Sequence, residues 1–420
     1  MNGSARSQVT VNLVFMLLKS VFILLSFRLA DVMLSANLMG LVLLFRRQGG
    51  MWSNLVQLGF SQVLLKYYVS SDSADYRANL LHRLVRWTAV AVLVTVSVCT
   101  VFAVPLNDWL FPSAHPAVTV AFGVYVSGLA IGFIANSSWL AEFKFVQSNL
   151  IDWFNGSLLF VICLLFSNRL DLVSFSWLLA LMTVVASVFS LMLFARHFGC
   201  HLYQPGGGWS LALQERRYGF TRALTAYADM ATMVIGPWLL RSKPAEAAQL
   251  IAAYTVLRIA QTLVMPVAQV LALRANSKRY NSGREERRIL ILCAFVFACA
   301  WIGVAAYYLL GAWAVHWWMP NSAAGVVAVL DVLMPFMPGI CLFYSLRNHV
   351  DLQFMTPWNL ITLVLSIVLF FVATLAHKQI DADVMVVASS YMFAVYYAYD
   401  FLFIYKTITN LVVNANVRNI

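Results

Sequence analysis

Apolar runs of about twenty residues, long enough to cross a hydrocarbon core, recur along the whole chain between short polar connections. Twelve spans are predicted, at residues 9–30, 38–66, 87–105, 117–138, 147–166, 172–195, 217–240, 248–275, 289–311, 325–346, 357–376 and 385–405. No connection is long enough to fold as a sizeable soluble domain. The first span is too long for the apolar core of a cleaved leader, and no small-residue cleavage site follows it, so it is expected to stay in the protein. The fold expected is an all-α integral membrane protein.

Four spans break the apolar pattern along one face. In the second, Arg47, Gly50, Asn54, Gln57 and Ser61 step by three and four; in the seventh, Arg222, Thr225, Asp229, Thr232 and Gly236 do the same. In the first, Asn12, Lys19 and Ser26 repeat every seven residues, and in the eighth Arg258, Gln261 and Gln269 fall roughly on one side. Four striped helices, two from each half, are able to enclose one polar cavity, lined by Asn12, Asn54, Gln57, Ser61, Arg222, Thr225, Gln261 and Gln269. The competing reading is that such side chains join helices through buried hydrogen bonds.

Composition agrees with the spans: 62% of the 420 residues are hydrophobic and 11% charged, against roughly 25% charged in soluble domains. The net charge of +11 therefore speaks of membrane topology and anionic lipid before nucleic acid, and no nucleic-acid partner is expected. With the N-terminus inside, Lys and Arg concentrate in the inner connections, from Arg6 through Lys66, Arg77, Arg83, Arg86, Lys144 and Arg196 to Arg418. The outer ones hold only Arg169, Arg241, Lys243 and Lys378. That asymmetry places both termini in the cytoplasm. Trp313, Trp317 and Trp318 fit an outer aromatic belt, Tyr67 and Tyr68 an inner one.

Arg46 and Arg47 stand inside the second span, where an Arg costs about 2.5–3.5 kcal/mol on insertion scales and usually marks a substrate path. With Lys19 and Arg258 they form a cation set for which the only clearly intramembrane acid on the striped helices is Asp229. A cationic interior favours an anion, and guanidinium forks match phosphate oxygens. Arg46 lies about 100° round the helix from Arg47, so Arg47 is the first candidate and Arg46 the second, serving a neighbouring helix or a lipid phosphate. Arg222 near its inner end has a cheaper explanation in snorkelling. Asp229 and Glu142 are candidates for coupling to a proton or sodium gradient; the alternative pairs them with Arg222 and Lys144.

Enzymatic and metal chemistry find no foothold. The six cysteines form no CxxC, so neither disulfides nor zinc are expected, and His197, Cys200 and His201 read as a solvated loop. Gly206-Gly207-Gly208 lacks the Gly-Lys-Ser/Thr ending of a phosphate loop and reads as a flexible joint. Asp381-Ala382-Asp383 reads as a solvated outer turn rather than a nucleotide-sugar site. No catalytic residue, metal or cofactor is expected.

The joint divides the chain into lobes at 1–200 and 217–420, with 201–216 as a cytoplasmic linker. A gapless shift of 211 places Arg6 on Arg217, Arg47 on Arg258 and Arg77 on Arg288. Two like-oriented halves suit alternating access.

Phe27-Arg28-Leu29-Ala30, Asn37-Leu38-Met39-Gly40-Leu41 and the run Leu55 to Tyr68 resemble the opening helices of polysaccharide transporters in the multidrug/oligosaccharidyl-lipid/polysaccharide exporter (MOP) superfamily. The stretch from Tyr218-Gly219-Phe220 through Asp229 to Ala253-Tyr254-Thr255-Val256 and Pro266 resembles their C-terminal half. The resemblance implies a V-shaped pair of pseudo-symmetric six-helix bundles around a central cavity. It also implies a Wzx-type flippase that carries undecaprenyl-pyrophosphate-linked O-antigen or similar repeat units across the bacterial inner membrane, alongside a polysaccharide polymerase and chain-length machinery. Related lipid II flippases hold pyrophosphate with cations of their first, second and eighth helices, corresponding by position to Lys19, Arg46 or Arg47, and Arg258. The chain departs from them in having twelve spans rather than fourteen, and Lys where Arg is expected. The alternatives are a drug or cation exporter of the same superfamily and a membrane-bound glycan polymerase or glycosyltransferase.

Overall fold

The computed structural model describes residues 5–112, 114–167, 170–198, 210–275, 282–353, 357–377 and 380–418. These fold into helices, with no strand among the described residues. In order they are α1 (Ala5–Met33), α2 (Ala36–Val56), α3 (Phe60–Val63), α4 (Ala74–Val101), α5 (Ala103–Leu110), α6 (Ala117–Ala141), α7 (Phe145–Trp153), α8 (Leu159–Leu165) and α9 (Leu172–Phe198). There follow α10 (Leu213–Thr232), α11 (Ile235–Leu239), α12 (Pro244–Ala275), α13 (Ser282–Trp318), α14 (Ala323–Leu333), α15 (Met337–Gln353), α16 (Trp358–Leu375) and α17 (Ala382–Arg418). The chain divides into two compact units, Val14–Ile251 and Ala252–Ile420 with Met1–Leu13, the divisions falling inside α1 and α12. The Gly206-Gly207-Gly208 joint lies outside the described residues.

Among the described residues, nine helices are long and apolar enough to cross a membrane, and they coincide with nine of the twelve expected spans. The remaining three expected spans are the second, seventh and eighth, which bear polar stripes. They are helical nonetheless, as α2 with α3, α10 with α11, and α12. The protein is thus a multi-pass membrane protein, and of its four striped spans only the first is among the nine most apolar helices.

Burial follows the same rule in both units: the fourth span of each half, Ala117–Ala141 and Ala323–Val350, is 67% buried, against 17–44% for the others. In α6 the cause is a run of small residues, Gly123, Ser127, Gly128, Ala130, Gly132 and Ala135, that lets α9, α4 and α2 approach closely. A methyl at Gly128 would stand 2.9 Å from the backbone nitrogen of Val184. Each half also starts its sixth span alike. Asp171 accepts from the Ser174 N–H at 2.9 Å at the head of α9, and Asp381 from the Val384 N–H at 2.9 Å at the head of α17. Hydrogen bonds from Ser174 hold the Asp171 carboxyl below the usual carboxylate range. Asp381 is therefore a helix cap, which corrects its reading as a plain solvated turn. Two belt assignments also change: Trp318 is 7% and Tyr68 5% exposed, both in the interior, while Trp313 and Trp317 remain exposed.

α2 does not run unbroken through its stripe. Leu58 and Gly59 take left-handed backbone angles (φ 53° and 70°), ending α2 before α3 and a π-helical turn at Leu64–Tyr68. At Gly59 only a glycine fits, because a Cβ would overlap the Gly219 carbonyl oxygen where α10 crosses. Gly59→Ala is therefore expected to lower the thermal midpoint of the purified protein, with about 1–2 kcal/mol from backbone strain alone. Gly50→Ala, whose methyl meets only the flexible Met230 Cε at 3.1 Å, is the control; equal midpoints would contradict the close crossing.

Candidate functional site

The Val14–Ile251 unit brings two of the expected cations to one place. Lys19 on α1 reaches Asp152 on α7, Nζ to Oδ2 2.5 Å. Arg46 on α2 donates to the Gly156 carbonyl and lies 4.4 Å over the Phe160 ring. Gly156 sits in a π-helical turn, Phe154–Leu158, that joins α7 to α8. A methyl there would stand 3.4 Å from Lys19 Cε and 3.9 Å from Asp152 Oδ1, so both cations converge on this turn. Phe22 packs edge-on against Trp153 beside it, centroids 5.2 Å apart. π turns concentrate at functional sites because they re-aim side chains and carbonyls. Around this one, Trp153 Nε1, Asn155 Oδ1 and Ser157 Oγ are buried with no hydrogen-bond partner among the described residues.

Lys19 has an acidic partner in Asp152, which lies on none of the striped helices and was not among the expected site residues. The available signal was a lone carboxylate inside the fifth span. Arg46 serves a neighbouring helix, as its angular position on α2 suggests.

The stripe residues of α2 and α10 lie in the same unit, where the two helices pack together. Asn54, Gln57 and Ser61 are 9%, 3% and 6% exposed, and Arg222, Thr225 and Asp229 4%, 1% and 5%. Asn54 donates to the Gly50 carbonyl and Gln57 to Asn54 Oδ1, both at 2.9 Å. Arg222 does not snorkel: it is buried, with its guanidinium 5.1 Å over the Tyr218 ring.

A second charged network lies at the basic end of this unit. Lys66, in the first π turn, stands 4.1 Å over the same Tyr218 ring. Tyr68 donates to Glu142, which also faces Arg77 at 3.9 Å. Its partners are these, rather than the sequence neighbour Lys144. Glu215 accepts from Tyr76 at 2.6 Å and from the Ala212 N–H at 2.7 Å, and Arg83 approaches it at 3.9 Å. Both acids of this network are thus engaged.

In the other unit Asn12 is 6% exposed and Arg258 is half-buried. The side chains of Gln261 and Gln269 lie outside the described residues.

Lys19→Ala and Asp152→Ala should each destabilise the protein, and the double variant by less than their sum. The coupling read from thermal or denaturant midpoints is expected at about 0.5–3 kcal/mol; strict additivity would contradict the pairing.

No family model and no curated protein matches the chain. Its fold, however, matches solved transporters over almost its full length. An outward-facing multidrug resistance MATE family transporter of the MOP superfamily aligns at TM-score 0.71 and 13% identity, covering 97% of each chain. An inward-facing one aligns at TM-score 0.69 and 12% identity, covering 96% of this chain and 99% of that one. A MOP superfamily transporter from Pyrococcus furiosus, described by the reverse polarity of its binding pocket and a suggested different function, aligns at TM-score 0.70 and 12% identity, covering 97% of each. At these identities the likeness establishes architecture: the chain is a multi-pass membrane protein with the fold of the MOP superfamily transporters.

Proposed function

We propose that the protein is an alternating-access transporter whose cargo bears an anionic headgroup, of the class of undecaprenyl-pyrophosphate-linked oligosaccharides, carried between leaflets of a bacterial inner membrane. The observation that carries this reading is the positive surplus around the first two helices. From Val14 onward, α1 and α2 hold Lys19, Arg28, Arg46 and Arg47 against Asp31, and α7 adds only Asp152. In a low-dielectric interior such a surplus favours an anion, and guanidinium groups suit phosphate oxygens. The orphan polar atoms around Phe154–Leu158 are suited to a sugar or phosphate headgroup. Arg47 is assigned to the pyrophosphate first and Arg46 second, with Lys19 beside them in the same unit. The buried stripes of α2 and α10 become cavity lining when these helices part. No bond is made or broken; cargo binding biases two conformations through its differential affinity for them.

The second reading, export of a drug or organic cation, is favoured by the multidrug resistance transporters that share the fold. The name of the Pyrococcus furiosus transporter supports variation of pocket polarity on this fold. The enzyme reading draws no support from these transporter neighbours.

In proteoliposomes loaded with a fluorescent polyprenyl-pyrophosphate glycan, Arg47→Ala should slow flipping about tenfold, a loss of about 1.4 kcal/mol, and more than Arg46→Ala does. Arg46→Ala should also lower the thermal midpoint, because it removes the contacts to Gly156 and Phe160. Full flipping by a stably inserted Arg46→Ala/Arg47→Ala double variant would overturn the anionic-cargo reading, and resistance to cationic dyes on overexpression would favour the second.

A further inference from the structure

The Ala252–Ile420 unit holds a carboxylate that the cargo reading does not use. Asp400, on α17, is 1% exposed, and both of its oxygens are buried without a hydrogen-bond partner among the described residues. No other buried carboxylate described has both oxygens in that state. Among the described residues, the titratable groups shown to interact with its charge are Cys293 on α13, Cys341 on α15 and Tyr397 on its own helix. Both thiols are 2% exposed, and the Tyr397 hydroxyl is already committed to the Pro335 carbonyl at 2.7 Å.

Among the described residues of the other helices packed on α17, no counter-charge acts on Asp400. α16 carries no titratable side chain. Asp331 of α14 accepts from Tyr307 at 2.9 Å and is exposed. On α12, Tyr254 hydrogen-bonds Ser389, and Arg258 is the next ionisable residue. Further along α15, Arg347 lies 5.7 Å over the Tyr344 ring and His349 is buried. Lys406 stands 5.9 Å from the Trp358 and Phe403 rings.

An ionised carboxylate left in such surroundings is strongly disfavoured, because it has lost its water and gained no partner. Protonation removes that cost, as R–COO⁻ takes up H⁺ to give R–COOH, with no other reactant. A metal cation is a poor match. No group of three His, Cys, Asp or Glu with metal-holding geometry occurs among the described residues, and the groups around the carboxyl are thiols and rings.

We propose that Asp400 is a proton-carrying site of this transporter: it holds a proton while packed between α13 and α15, and gives it up when movement of α17 admits water or a counter-charge. A proton gradient then biases the two states through their different proton affinities. The proposal rests on the transporter reading but on no particular cargo.

The test uses the full chain in liposomes without cargo. Infrared difference spectra between acidic and alkaline buffer should show, in wild type, a protonated-carboxyl C=O band persisting to neutral pH. Asp400→Asn, close in shape to the neutral acid, should lose that band; Asp400→Glu should keep it with a shifted titration midpoint, and serves also if the Asn variant is not recovered. A band unchanged in both variants overturns the proposal. In a second arm, an imposed pH gradient should accelerate flipping of the fluorescent polyprenyl-pyrophosphate glycan by wild type and not by Asp400→Asn; equal acceleration overturns the coupling role. If the glycan is not moved at all, the cargo reading fails while the infrared band still decides Asp400.

Discussion

A cation taken into the interior of membrane-spanning helices must find its acceptors within the protein, because lipid offers none. The Val14–Ile251 unit is organised around that requirement. Arg46 finds a carbonyl at Gly156 and the face of Phe160; Lys19 finds Asp152. Lys66 and Arg222 both lie against the Tyr218 ring, and Arg77 and Arg83 approach Glu142 and Glu215. Both π turns of the unit lie at these places, Phe154–Leu158 under Arg46 and Leu64–Tyr68 carrying Lys66. Departures from regular helix thus coincide with half-buried charge.

The apolar spans were legible because crossing a membrane demands little more than length and apolarity, which the chain displays openly. The polar stripes of α2 and α10 were equally visible as patterns. What they face was not, because that depends on which helices pack together. The close crossing of α10 at Gly59 depends on a left-handed turn that helical periodicity does not encode. Glu142 illustrates the same limit. Its sequence neighbour Lys144 was the obvious partner, yet Tyr68, 74 positions away, is the donor. Asp152 and Asp400 escaped notice because each is a single acid in its span, and the polar neighbours of Asp152 at helical spacing, Ser148, Asn149 and Asn155, give no stripe running the length of the helix. Burial and partnership, not pattern, separate the two: one is paired, the other has no partner among the described residues.

The two units therefore carry different chemistry on a related plan. Each buries the fourth span of its half and opens the sixth with an Asp cap. The first unit concentrates cations around its π turns, suited to an anionic headgroup, whereas the second holds a buried carboxyl suited to a proton. If the two proposals hold, cargo and proton each bias the conformational equilibrium through their own differential affinity for its states.

The most direct test of the central claim, that the buried cations are there for an anionic headgroup, is equilibrium binding to the purified protein. A polyprenyl pyrophosphate, the corresponding neutral polyprenol and a lipophilic cationic dye should be titrated side by side. The account predicts that the pyrophosphate binds more tightly than the polyprenol and the dye. Equal affinity for pyrophosphate and polyprenol, or tighter binding of the dye, would contradict it.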